Sequence, residues 1–312
     1  MTVELQWWPC ARPIVPLELF RLNSVGEAML TARLPRRLPT ALATAEMLLD
    51  WATSRWPSGT AVYAQDQDAN RLLDRTTAGA RYGAAEYTLI LTQALNALRI
   101  PARRLRGLPE GYQAAGGTAH PMTEAWIDDL GSWVVFDGRN GATWRDPADV
   151  PLDALELQRL YRAKQTPEFR GSGQNFRAGD AEKWFEFFHT VAVADGLAWS
   201  AGPYVPVLAD GTVLRASRLA DGDVDAAPDL AAISTGVTSA KGAPALLFRT
   251  EHPYATGFTV TRGPVAEEQV QTTLEPDQPL PLAGEPGEHR LTVATSTPYG
   301  TLAPHHLHYR VT

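Results

Sequence analysis

The sequence predicts an α+β protein, with a mixed helical and antiparallel domain followed by a smaller antiparallel β-sandwich. Three observations carry that prediction. The first half alternates stretches of helical period with one pair of strand-like runs. The C-terminal third holds short β-prone runs between Pro-, Gly- and Asp-rich turns. At 312 residues the chain is long enough for about two cores. The divisions expected are an N-terminal arm at 1–37 packed on the core, a first domain at 38–200 and a sandwich at 201–312.

In order along the chain, the arm carries Pro9, Pro13, Pro16 and Pro35 among Trp7, Trp8, Leu17 and Phe20, which reads as extended or strand-like. The run TALATAEMLLDWATSRW sets Leu42, Met47, Leu48 and Trp51 at helical period, and Pro57-Ser58-Gly59 ends it. A second helix is expected over Asp66 to Arg75. A third runs from near Gly83 to Leu98, where Ile100-Pro101 stops it. Its apolar residues cover most of the surface, so it should be a buried helix. ARRLRG reads as a short strand, and residues 110–122 as a Gly-containing loop able to cover a cleft. TEAWIDD and SWVVFDG, on either side of Leu130-Gly131, read as an antiparallel hairpin with a tight turn. Two further helices are expected at PLDALELQRLYRA and DAEKWFEFFHTVAVA. The sandwich strands are expected at LLFRT, GFTVTRG, EQVQTTL, HRLTVATS and HLHYRV.

Composition narrows the function classes. The formal net charge is −7 and no Lys/Arg stripe interrupts it, so no nucleic-acid partner is expected. No stretch approaches the roughly 18 apolar residues of a membrane span, and no membrane partner is expected. The single Cys10 excludes an internal disulfide or a multi-Cys zinc site. MTVELQWWPC lacks a basic segment followed by an apolar run, so the expected location is cytoplasmic. The expected partner is a small-molecule substrate, with no cofactor and no metal, and the oligomeric state is open.

The hairpin carries the chemistry. With Asp129 facing Ser132, Trp126 faces Val135 and Glu124 faces Asp137. Ala125, Ile127, Val134 and Phe136 then take the opposite, core-facing side. Like charges directly opposed are destabilising. Either one carboxyl holds a proton near neutrality, or an arginine such as Arg81 or Arg139 neutralises the pair.

The order of these elements, with RYGAAEYTLILTQALNALRIPARRLRG followed by TEAWIDDLGSWVVFDG, resembles the transglutaminase-like (papain-like) core over about residues 40–150. In that family a nucleophilic Cys opens the buried helix, a His stands just before Ala-Trp and an Asp ends the next strand. Matched residue by residue, the Cys position falls on Ala84, the His position on Glu124 and the Asp position on Asp137. The resemblance thus implies a cleft that has lost two triad members, because a methyl group cannot attack an acyl centre and a carboxylate cannot replace an imidazole.

Further candidates surround that cleft. Glu86 lies in the first turn of the buried helix, as a catalytic group or as a structural partner of Arg103. His120 is a general acid/base or a solvated loop residue. Tyr82 and Tyr112 offer hydroxyls or aromatic packing, and Tyr87 and Trp126 are further candidate substrate contacts. His305, His306 and His308 form a small cluster without an acidic or Cys ligand to complete a metal site, the Asp-rich stretch 221–229 reads as a solvated turn, and GSGQNF at 171–176 reads as a loop. Two functions follow. One is a cofactor-independent lyase or cyclase using Glu124 and Asp137 for dehydration or Michael-type addition on a polyketide-like intermediate of antibiotic biosynthesis, a setting implied by the resemblance. The other is a non-catalytic module that binds a peptide or glycan.

Overall fold

The computed structural model describes residues 3–7, 17–57, 67–110, 119–171, 180–193, 229–262, 270–282 and 285–312. Its elements in chain order begin with β1 (Val3–Trp7), a 3-10 turn (Leu17–Phe20), α1 (Ser24–Thr31), α2 (Ala41–Thr53), α3 (Ala69–Thr77) and α4 (Ala84–Ala97). They continue with β2 (Ala102–Leu108), β3 (His120–Ile127), β4 (Ser132–Asp137), β5 (Ala142–Arg145), α5 (Ala154–Arg162), β6 (Glu168–Gly171), α6 (Ala181–Phe185), a second 3-10 turn (Glu186–His189) and β7 (Thr190–Val193). The remaining strands are β8 (Ile233–Ala240), β9 (Ala243–Thr250), β10 (Gly257–Arg262), β11 (Val270–Leu274), β12 (Leu280–Pro281), β13 (Gly287–Thr297), β14 (Gly300–Thr301) and β15 (His305–Val311). The chain is therefore α+β, with every sheet antiparallel.

By contacts the chain divides into two compact units: Ile14–Ile127 with Ser132–Ala227, and Met1–Pro13 with Asp128–Gly131 and Pro228–Thr312. The first unit is built on a sheet of order β6-β5-β4-β3-β2-β7. On one face lies α4, which is buried from Glu86 to Ala97 as its all-round apolar sequence requires. Thr92 and Thr123 hydroxyls meet at 3.0 Å across that interface. α1, α2 and α3 pack around α4. The other face carries Arg103, Glu124, Trp126, Trp133 and Asp137, alternating with the α4-facing residues as strand pleat demands. It is covered by α5 and by the segment of α6 and the second 3-10 turn.

The predicted helices over α2, α3, α4 and α5 are present, capped by Thr40, Asp68, Gly83 and Asp153. Three expectations change. The N-terminal arm is not one extended piece. β1 belongs to the second unit, where it pairs with β15, while Asn23 caps a genuine helix, α1, which packs on α4 of the first. The helix expected at 180–194 stops after five residues, and its Thr-Val end pairs with β2 as β7, in keeping with the strand preference of β-branched residues. Third, the hairpin register is two residues off the expected one: Ile127, not Asp129, faces Ser132, and Glu124 faces Val135. Asp128 to Gly131 form a longer loop with Gly131 at φ +61, which leaves two adjacent acidic residues outside the strand. Because the shift is even, Glu124 and Asp137 keep a common face but are no longer opposed.

In the second unit, one sheet has the order β1-β15-β13-β10-β11 with β14 on β13, and the other the order β12-β9-β8. Inward residues of both sheets, including Leu246, Phe248, Phe258, Val260, Leu291, Val293 and Leu307, join in one core. The five predicted sandwich strands lie in β9, β10, β11, β13 and β15. No helix of the described residues is long and apolar enough to cross a membrane.

Gly107 in β2 sits where the second 3-10 turn crosses the sheet. A Cβ there would stand 2.7 Å from the Phe187 carbonyl oxygen and 2.9 Å from Met122 Cε. Gly107→Ala should therefore cost about 1–3 kcal/mol by overpacking, read as a lower urea midpoint with unchanged slope.

Candidate functional site

β3 begins at His120 and β4 ends at Asp137, and their side chains meet beyond the last β3–β4 pair, Thr123 with Phe136. His120 Nε2 lies 2.7 Å from Asp137 Oδ2, with the two side chains 3% and 0% exposed. A tight turn completes the carboxylate's shell. The backbone N–H groups of Arg139 and Asn140 donate to Oδ1 at 3.1 Å each, and Asn140 Nδ2 donates to Oδ2 at 2.7 Å. Burial alone would raise the Asp137 pKa, but the His120 ring and the Asn140 donors outweigh it and hold the carboxyl below its ordinary range. An ionised carboxylate only accepts, so Nε2 must carry the proton; in the neutral imidazole Nδ1 then holds the lone pair. The ring is walled by Trp184 at 4.6 Å and Phe187 at 5.2 Å between centroids. The Arg139 guanidinium lies 5.3 Å from the Trp184 ring.

The first turns of α4 abut the backbone beside this pair. Thr88 Oγ1 donates to the Pro121 carbonyl at 3.0 Å, and a Cβ on Gly138 would be 3.1 Å from the Tyr87 carbonyl oxygen. Ala84 opens that helix and is half-buried. Glu86 is buried and accepts the Gly83 N–H at 3.1 Å, satisfying the donor that precedes the helix. Tyr82 and Tyr87 converge on Trp56: Tyr87 stacks on it at 4.5 Å and donates to its carbonyl, and Tyr82 meets it edge-on at 5.5 Å. Both tyrosines thus pack together around one indole.

Glu124 stands apart from Asp137. Its Oε2 accepts from Arg103 Nε at 2.8 Å and from its terminal nitrogen at 2.6 Å, while Oε1 accepts the Ala154 N–H at the start of α5 at 3.1 Å. The Arg103 guanidinium also covers the Trp133 ring at 4.2 Å. Trp126 packs edge-on against Trp133 at 6.0 Å, and its indole N–H has no partner among the described residues. The expected conflict of two opposed carboxylates is therefore replaced by two separate pairs, Glu124 with Arg103 and Asp137 with His120. The countercharge on Glu124 is Arg103 rather than Arg81 or Arg139.

Sequence reasoning passed over Asn140, whose signal is the Asp-x-x-Asn spacing of a turn that folds back on its own carboxylate. It also passed over the Arg103–Glu124 pair and the Trp184 wall. Tyr112 and Cys10 lie outside the described residues, as do 172–176 of GSGQNF and 221–228 of the Asp-rich stretch. His305 and His306 bond the Ala231 carbonyl and the Thr292 hydroxyl. Among the described residues no three potential metal ligands cluster.

No family model matches the chain, and no curated protein matches it. Among solved structures, a red sea bream transglutaminase is similar at 10% sequence identity and a TM-score of 0.28, over 84% of this chain and 53% of that one. The chain thus spans about half of that protein's length. A likeness at this TM-score bears on neither site nor activity.

Asp153 caps α5 by accepting the Glu156 N–H at 2.7 Å. Burial first, and the nearby Glu124 charge second, push its pKa up to about 6. A folded pKa above the unfolded value of about 3.9 means that this group lowers stability above pH 6 and is relieved as pH falls through 6. Asn caps as well as Asp, so Asp153→Asn should stabilise the protein at pH 7.5 by about 1 kcal/mol, discounted for partial solvent screening. That gain should vanish by pH 4, in chemical unfolding curves recorded at both pH values.

Proposed function

We propose that this chain is a transglutaminase-like enzyme without a thiol nucleophile, in which His120 and Asp137 form the acid/base centre. The carrying observation is the buried 2.7 Å contact between His120 Nε2 and Asp137 Oδ2. It supports a different match from the one made from the sequence, since the imidazole that meets the Asp lies four residues before Glu124. On this reading only the nucleophile position, Ala84, is substituted, and Glu124 is a structural anchor for α5. With no thiol to acylate, the retained pair suits proton transfer next to a carbonyl.

The reaction proposed is dehydration of a 3-hydroxyacyl group, or conjugate addition within a polyketide-like intermediate. His120 Nδ1 removes the proton from the carbon next to the carbonyl. The resulting imidazolium, stabilised by ionised Asp137, returns that proton to the departing hydroxide, so that an enoyl group and one water result. In the addition, the same proton goes to the carbon next to the carbonyl of the adduct. One observation favours a second reading, the non-catalytic module that binds a peptide or glycan: the His120 side chain is almost wholly buried beneath Trp184 and Phe187.

A 3-hydroxyacyl N-acetylcysteamine thioester in deuterated buffer tests both. The native chain should produce enoyl absorbance and deuterium next to the carbonyl. His120→Gln should lower the rate by about 10²–10⁴-fold. Glu124→Gln should cost about 3 kcal/mol of stability through its buried arginine while turnover stays within a few-fold. A folded Glu124→Gln that is inactive beside an active His120→Gln would overturn the assignment. An inert native chain across a thioester series that still binds a peptide or glycan array would establish the binding module.

A further inference from the structure

A cavity of about 370 Å³ opens where three helices of the first unit end. Arg33 stands two residues past α1, Arg55 two residues past α2, and Thr76 and Thr77 are the last two residues of α3. Trp51 and Leu73 supply its apolar wall. The volume falls within the roughly 300–1,000 Å³ of small-molecule sites. No residue lining it belongs to the His120–Asp137 pair or its shell.

Helix C-termini leave carbonyl groups without internal partners and carry a partial negative charge, which accounts for arginines at these positions. The carbonyls beside this cavity are already answered. Arg33 donates to the Asn70 carbonyl at 3.1 Å. Arg55 Nε and Ser54 Oγ each donate to the Trp51 carbonyl at 2.8 Å. The Thr76 and Thr77 hydroxyls donate to the Leu73 carbonyl at 2.8 and 3.0 Å. Both guanidinium groups keep donors beyond these bonds, since each has five N–H groups. Arg33 commits a second to Asp74 at 2.7 Å, and Arg55 a second to Ser54 Oγ at 3.0 Å, so three remain on each among the described residues.

The charges do not balance. Among the described residues Asp74 is the one carboxylate lining the cavity, and it is bonded to Arg33. Arg55 has no carboxylate partner among them. Its charge lies over the Trp51 ring instead, 5.0 Å from the centroid. Burial holds the Arg55 guanidinium below its ordinary pKa, as expected of a cation partly withdrawn from water without a countercharge. The surroundings favour the same sign. Residues 31–81 hold seven Arg against five Asp and Glu, a net positive stretch in a chain of formal charge −7.

We infer that this cavity binds a small hydroxylated organic anion, whose carboxylate or phosphate group is held by the remaining N–H groups of Arg55 and Arg33. Either group accepts from a guanidinium through two parallel bonds, and one negative charge offsets the uncompensated charge of Arg55. The Thr76 and Thr77 hydroxyl protons are committed to Leu73, so those oxygens present only lone pairs. Together with the Asp74 carboxylate they match hydroxyl donors on the body of the ligand. Five of the seven lining residues are polar or charged, so a largely apolar ligand is a poor fit.

Titration calorimetry on the full chain at low ionic strength tests this with three probes. Ribose 5-phosphate and gluconate carry the two anionic groups on hydroxylated bodies, and ribose carries neither. The native chain should bind at least one anion with a Kd of about 0.1 mM, as suits a ligand of that size. The tighter of the two identifies the group. Ribose should bind about tenfold more weakly or not at all, for want of the charge-assisted bonds. Arg55→Gln should weaken anion binding about tenfold, and Arg55→Lys by less, because lysine keeps the charge and loses the fork. Asp74→Asn removes the carboxylate and should tighten binding a few-fold. A misfolded variant cannot produce that gain, and melting curves check the others. Arg170→Gln, on β6 and outside the cavity, should change nothing. The proposal is overturned by a native chain that binds neither anion, by equal affinity for ribose, by binding unchanged in Arg55→Gln, or by an equal loss in Arg170→Gln.

Discussion

The pairing of Ile127 with Ser132 decides which side chain the buried Asp137 carboxylate meets. A hairpin two residues tighter would oppose Glu124 to Asp137. The four-residue loop from Asp128 to Gly131 instead slides β4 so that Asp137 reaches His120 at the start of β3, while the β2–β3 register sets Glu124 opposite Arg103. The effective cost of burying an ion is several kcal/mol, recovered only where an opposite charge and further hydrogen bonds complete the shell. Both carboxylates meet that condition. Glu124 has three donors from Arg103 and Ala154, and Asp137 has three from Arg139 and Asn140 besides His120.

The two pairs divide the work on a single sheet face. Glu124 takes the first N–H of α5, a group that no helix satisfies internally, and so binds a second layer of helix to the strand while discharging Arg103. Burial first, and then this second carboxylate at the same helix start, raise the pKa of Asp153. Asp137, by contrast, is held by a turn of its own chain. Its geometry therefore does not depend on the packing of α5, and the imidazole it orients can serve chemistry while the neighbouring ion pair serves assembly.

The helices were legible because period survives any tertiary context. The stripe of α2, the all-round apolar α4 and the stop at Ile100-Pro101 are local facts, and the strands of the hairpin are equally so. Register is not local. Leu130-Gly131 closes a two-residue turn only if Asp128 and Asp129 remain in strand, and a glycine at positive φ suits either loop. An error of two residues preserved the faces and changed every partner. For the same reason His120 could be weighed only as a loop residue, because its partner lies 17 positions away across a register the sequence leaves open. β8 escaped notice because ISTGVTSA has little hydrophobic alternation. Its strand character comes from the tight turn and from pairing with Leu246 and Phe248 of β9.

On the proposed function, the tautomer restricts where a substrate can stand. Nε2 is the outer nitrogen of the ring and is committed to Asp137. The remaining base, Nδ1, is bonded to the ring carbon that carries Cβ and so lies close to its own strand. A proton taken by Nδ1 must come from an atom near the first residues of β3, where the Pro121 carbonyl meets Thr88 of α4. On that proposal Ala84, which opens α4, presents a methyl group and no competing nucleophile at the helix start. The proposed substrate is then a carbon acid, and no covalent intermediate is required for turnover.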